Sequence, residues 1–236
     1  MPLSSRQEFA MLITLMLVMF TTIADFMIMM PLASYLMAEM HVNTAQFGLL
    51  VSAYSLAAGC SALLASSQAD RFDRRHALLF CYAGLMIATL ACALSNTYYT
   101  LLLARILAGV FGGVIGSISL AIVGDLIPAE RRGQAMSWVM LGFSLSAVAG
   151  VPLGLWLAAH SGWRMPFFVL TGICLAVALA IVLGGAATGW TAPLIGSPSP
   201  DQASGWGALP VSVAAVARGV KAVWQAWRAW SPRGPP

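Results

Sequence analysis

The sequence predicts an all-α membrane protein: six transmembrane helices followed by a C-terminal tail. The 236-residue chain is 60% hydrophobic and only 8% charged, with a mean hydropathy of +0.85. Soluble domains carry about 25% charged residues, so an ordinary globular fold is excluded. Six apolar stretches, at about 9–31, 47–69, 77–96, 98–122, 135–159 and 165–186, reach the length that a bilayer-crossing helix needs. That length is roughly 20 residues for a hydrocarbon core about 30 Å thick. The organisation expected is a six-span domain over 1–186 and a tail over 187–236.

Span one is longer than the roughly 7–15 apolar residues of a signal peptide's central region, and no small-residue cleavage site fits before Pro31. Spans two and three are joined by "SSQADRFDRRHALLF", a short connection that forces a tight antiparallel hairpin. It carries Asp70, Arg71, Asp73, Arg74 and Arg75. Spans four and five are joined by "GDLIPAERRGQA", in which Asp125 closes one helix, Pro128 stops its continuation, and Glu130, Arg131 and Arg132 precede the next. Arg6 and the arginines of these two loops stand on one side of the membrane, against Arg164 alone on the other. The positive-inside rule therefore places the N-terminus, both basic loops and the C-terminus in the cytoplasm. The expected location is a bacterial-type inner (plasma) membrane. The net charge of +4 does not point to nucleic acid, because the basic residues of the six-span region, Arg105 apart, flank the membrane.

Span four contains "RILAGVFGGVIGS", where Gly109/Gly113 and Gly112/Gly116 are each four apart and share a face open to close helix approach. Span five contains "AVAGVPLGL", with Gly150 and Gly154 around Pro152, which frees a backbone carbonyl and bends the helix. These residues are read either as plain packing or as the place where spans four and five slide during function. The two acid-plus-arginine loops are read either as solvated connections or as an ion-pair network that gates the cytoplasmic side. The tail holds five of the eight tryptophans and seven of the twelve prolines. It reads as a linker followed by either an amphipathic helix on an anionic leaflet or disordered chain.

The four cysteines, Cys60, Cys81, Cys92 and Cys174, fall inside spans without paired spacing, which suits apolar packing residues. His41, His76 and His160 lie near span ends and share no metal-ligand spacing, and methionines such as Met16, Met19, Met27 and Met30 read as packing or lipid-facing. An enzyme, a metal site and a cofactor are therefore not expected.

One acid and one base remain. Asp25 lies six residues before Pro31, and Arg105 seven residues into span four. At about 1.5 Å per residue their depths are roughly 9 Å and 10 Å from the outer side. A charge within the bilayer costs about 2.5–3.5 kcal/mol on insertion scales, so two opposite charges at matched depth are expected to pair or to face a watery cavity. Such a pair either only fixes helix packing or couples a proton to movement. Burial and the guanidinium act on the carboxylate's proton affinity in opposite senses, so a movement that separates the two changes it.

Four stretches resemble the N-terminal half of a major facilitator superfamily transporter of the efflux type, similar to drug or sugar:proton antiporters. They are "DFMIMMPL" in span one, "SSQADRFDRRHALL" through Asp70, Arg71, Arg74 and Arg75, "LLLARILAGVFGG" through Arg105 and Gly109, and "AGVPLG" in span five. Ser66, Gln68 and Asp73 depart from the usual loop motif, and Val151 separates Gly150 from Pro152. The resemblance implies alternating access between two six-helix halves, a small organic substrate, protons as coupling ions and Asp70 as a cytoplasmic latch. Only one half is present. A second half-transporter or a homodimer would complete the body; a fragment without transport of its own is the alternative. The Trp-, Arg-, Gly- and Pro-rich tail is of the kind that out-of-frame GC-rich DNA encodes, so truncation or frameshift is expected ahead of a natural half-size design.

Overall fold

A computed structural model describes the backbone over 5–68 and 74–187 and side chains over 8–65 and 76–183. The described residues are helical almost throughout: α1 Ser5–Met27, α2 Ala33–Met40, α3 Thr44–Gln68, α4 Arg74–Leu94, α5 Tyr98–Leu126, α6 Ala129–Leu145, α7 Val151–Ser161 and α8 Met165–Ala187. Six helical segments are long and apolar enough to cross a membrane, with α6 and α7 forming one of them. The expected all-α, six-span architecture is what the chain adopts. The tail beyond Ala187 lies outside the described residues.

The helix of span one stops at Met27 rather than near 31, and a turn over 28–32 leads into the short α2, which the hydropathy profile did not anticipate. Pro31 supplies the reason: it has no N–H to donate and disfavours helical geometry at Met30. The turn stays inside the protein, with Ile28, Met29, Leu32 and Leu36 all buried. His41 then closes α2 in the left-handed conformation, at φ 51°.

Helix α5 is the axis of the bundle and packs along α3 and α4, while α1 packs along α6 and α8, and α4 joins α8. Its start is set by a capping box. The Thr97 hydroxyl accepts from the Thr100 N–H at 3.3 Å, and the Thr97 N–H donates to the Thr100 hydroxyl at 3.2 Å. Gly109 and Gly113 face α3 rather than α6, so the close approach on this face is between spans two and four. A Cβ at Gly109 would overlap the Tyr54 carbonyl, and one at Gly113 the Ala58 carbonyl. Gly116 at the same spacing faces open space. In hydrocarbon, where no hydrophobic force drives helices together, such backbone-to-backbone contact supplies the association. Gly142 does the same on α6, against the Met16 carbonyl of α1. That contact was not among the expected ones.

Span five is interrupted by a π-helical turn, Ser146–Gly150, closed by the Val151 N–H donating to the Ser146 carbonyl. Pro152 follows directly. Because proline cannot donate the next helical bond, the bend anticipated at Pro152 takes the form of one widened turn before it. Gly154 abuts Ile28 in the turn after α1, where a Cβ would overlap the isoleucine side chain. A Cβ at Gly150 would meet only ordinary contacts, at 3.5 Å and beyond. The outward surface of the spans is apolar, with Leu56, Phe80 and Val148 among the most exposed side chains.

Candidate functional site

The end of α1 decides the geometry of the site. The last carbonyls of a helix have no intrahelical partner. Because α1 stops at Met27, the Asp25 carbonyl is free, and Arg105 Nη1 donates to it at 2.9 Å. Arg105 Nη2 donates to Asp25 Oδ2, completing the ion pair. A cation at a helix C-terminus also complements the helix dipole. Arg105 thus serves α1 as both counter-charge and cap.

The third partner comes from α4: the Thr89 hydroxyl donates to Asp25 Oδ1 at 3.0 Å. Both carboxylate oxygens and the backbone carbonyl of Asp25 are therefore engaged. Asp25 is 1% exposed and Arg105 0%. Two rings lie near the guanidinium, whose central carbon is 4.9 Å from the centroid of Tyr54 on α3 and 5.9 Å from that of Phe167 on α8. These are cation–π distances. Arg105 Nε has no hydrogen-bond partner. Helices α1, α3, α4, α5 and α8 all contribute, so the site is where five helices converge.

The structure brings Asp25 and Arg105 together. Tyr54, Thr89 and Phe167 were missed by sequence reasoning. A tyrosine and a threonine in mid-span are signals of a kind, since polar groups at membrane depth seek partners, but nothing in the pattern says which partner. Phe167 carries no signal at all.

Of the residues expected at the cytoplasmic gate, Asp70, Arg71 and the side chains of Arg74 and Arg75 lie outside the described residues. Asp125 and Glu130 are exposed at the end of α5 and the start of α6. Arg131 Nη2 pairs with Glu8 Oε2 of α1 at 3.0 Å, and Phe9 meets Trp138 edge-on beside it at 6.3 Å. Glu8 was not among the expected partners, although it flanks the same side of the membrane. The arginine of this pair is more than half exposed, so Glu8→Gln is expected to cost at most about 1 kcal/mol, as surface pairs do. Unfolding in mixed micelles at low and high salt checks this; the difference from the parent chain should shrink as salt rises.

At the opposite end of the spans from Glu8 and Arg131, Arg164 donates to the Ser95 carbonyl at 3.1 Å and to Asn96 Oδ1 at 2.9 Å, tying the α7–α8 turn to the end of α4. The cysteines are free thiols, with Cys60 exposed and Cys81, Cys92 and Cys174 buried.

Six packed spans around a sealed acid–arginine pair define a polytopic helical-bundle membrane protein. The family model described as Major Facilitator Superfamily matches residues 15–232. The chain belongs to that superfamily. It is 30% identical over 170 residues to an uncharacterized MFS-type transporter, YceJ, of Bacillus subtilis (strain 168), covering 71% of this chain and 43% of that protein. It is 27% identical over 148 residues to a probable sugar efflux transporter of Helicobacter pylori (strain HPAG1), covering 63% of this chain and 38% of that protein. Among solved structures, the proton:xylose symporter XylE bound to 6-bromo-6-deoxy-D-glucose superposes with a TM-score of 0.68 at 16% identity, covering 76% of this chain and 45% of that one. At that identity the likeness concerns the fold. The chain spans less than half the length of these curated relatives.

Proposed function

We propose that this chain is the N-terminal six-helix half of a transporter that exports a small organic molecule across a bacterial inner membrane in exchange for protons. Asp25 is the proton-exchanging group and Arg105 its switchable counter-charge. The observation that supports this most is the buried ion pair. A carboxylate and a guanidinium at membrane depth, drawn from different helices, form a contact that helix movement can break. Family membership and a relative named for sugar efflux support transport and its direction. In this reading the N-terminus, the Glu8–Arg131 pair and the two basic loops lie on the cytoplasmic side, which the excess of arginine there supports. Asp70, Arg71, Arg74, Arg75, Asp125 and Glu130 would form the cytoplasmic gate. Gly109 and Gly113 hold spans two and four together as one moving body, and Gly150, Pro152 and Gly154 shape the bend of span five.

Everted vesicles with a respiration-driven proton gradient test the proposal. Candidate sugars and other small organic molecules are added, and dissipation of the gradient is read with a pH-sensitive dye. The parent chain is expected to give substrate-dependent dissipation, and Asp25→Asn, inserted to the same level, none. Equal dissipation by Asp25→Asn would remove the coupling role. No response from the parent chain would favour the second reading, a fragment without transport of its own. That reading draws on the chain spanning less than half of its relatives.

A further inference from the structure

The ion pair is sealed, and the side chains that separate it from the surface are graded in exposure. Arg105 is 0% exposed and Tyr54, lying over its guanidinium, is 6%. Phe26, whose ring stacks on Tyr54 at 5.2 Å and 30°, is half-buried. The second ring near the guanidinium, Phe167, is 0% exposed and belongs to a packed core with Cys92, Leu101, Ala104 and Trp163. Around the carboxylate, Thr89 is likewise fully buried. Exposure therefore rises in steps from the pair through Tyr54 to Phe26.

We propose that Phe26 and Tyr54 form a two-ring cover over the Asp25–Arg105 pair, with Tyr54 as a positioning residue for the guanidinium. Water and protons reach the carboxyl when the stack parts. The two rings sit on different helices, α1 and α3. A relative movement of these helices therefore uncovers the pair without breaking either helix. Tyr54 is well placed for this. Its carbonyl seats Gly109, its hydroxyl lies against the bare face of Gly112, and its ring carries the guanidinium, so ring and arginine stay together when α3 and α5 move as one body against α1. The hydroxyl of Tyr54 is not what holds the guanidinium; the ring is, through its face.

The proposal rests on reading Asp25 as the group that exchanges protons, but its test does not use transport. Dicyclohexylcarbodiimide reacts with the acid form of carboxyls in apolar surroundings. The full chain in liposomes is treated with it, and the adduct at Asp25 is measured by peptide mass relative to that at Glu39, an exposed carboxyl of the same chain. Phe26→Leu and Tyr54→Leu are expected to raise the Asp25 to Glu39 ratio about fivefold or more, in keeping with loss of the ring stack in the first and of the ring contact over the guanidinium in the second. Tyr54→Phe keeps the ring and should stay within about twofold of the parent on the same grounds. Ratios at the parent level in both leucine variants would overturn the cover. So would a Tyr54→Phe ratio equal to that of Tyr54→Leu, or a rise accompanied by maleimide labelling of the buried Cys174, which signals general loosening. If Asp25→Asn kept proton-coupled transport while the leucine variants labelled faster, the coupling reading would fall and the cover would stand.

Discussion

Arg105→Ala is expected to destabilise the folded bundle by about 3–5 kcal/mol, the usual consequence of leaving one member of a buried ion pair without its partner. Asp25 would lose the donor to Oδ2 and the cap on its own backbone carbonyl, keeping only the Thr89 hydroxyl. The companion variant decides what the pair is for. Asp25→Asn combined with Arg105→Met removes both charges at similar volume, and replacing a buried pair by uncharged groups is often neutral or stabilising. Most of the lost stability should therefore return in the double variant, measured by unfolding in mixed micelles. Proton-coupled transport should not. If the double variant recovered neither, the aromatic contacts of the guanidinium with Tyr54 and Phe167 would outweigh its charge. If Arg105→Ala lay within about 1 kcal/mol of the parent, far below the expected range, the carboxyl would not be held as a desolvated anion.

The second large effect is expected at the contact between spans two and four. Gly109→Leu and Gly113→Leu each place a side chain where even a Cβ overlaps a backbone carbonyl of α3, at Tyr54 and Ala58 respectively. Overpacking costs about 1–3 kcal/mol when side chains can give way, and more when they cannot. Here the obstacle is backbone, so each variant should lie at or above the top of that range. Gly116→Leu is the matched comparison. It stands one turn beyond Gly113 on the same helix and faces open space, so it should be close to neutral. Equal losses at Gly113 and Gly116 would overturn close approach as the cause, since helix propensity favours leucine over glycine at both positions.

These two sites show how far the sequence could be read. The spans were legible because a bilayer crossing needs a minimum apolar length, and that requirement acts on composition alone. The Asp25–Arg105 pair was legible because both residues stand out against apolar neighbours and their depths follow from counting residues. The glycine face of span four was legible as a packing face, but its partner was not. Four-residue spacing says that a helix can approach and does not say which. The pair formed by Glu8 and Arg131 was hidden for a similar reason: two residues 123 apart in the chain meet only when α1 and α6 pack together.

Local chemistry produced the departures from a plain six-helix reading. Pro31 ends α1 early and makes room for α2, and Pro152 turns a simple kink into a π turn, because each removes a hydrogen-bond donor from a helix that would otherwise continue. Hydropathy does not register missing donors, so both features fell below the pattern. Yet the early end of α1 is what frees the Asp25 carbonyl for Arg105.

The sequence by itself determined the number of spans, their apolar character and the two charges that had to find each other, since hydrocarbon tolerates neither a short span nor a lone charge. Tertiary structure alone decided that Thr89 holds the other carboxylate oxygen, that Tyr54 and Phe167 hold the guanidinium, and that Phe26 lies over Tyr54. Those contacts join helices distant in the chain. They depend on how each helix is rotated about its axis, which backbone packing at Gly109, Gly113 and Gly142 sets and which no single span encodes.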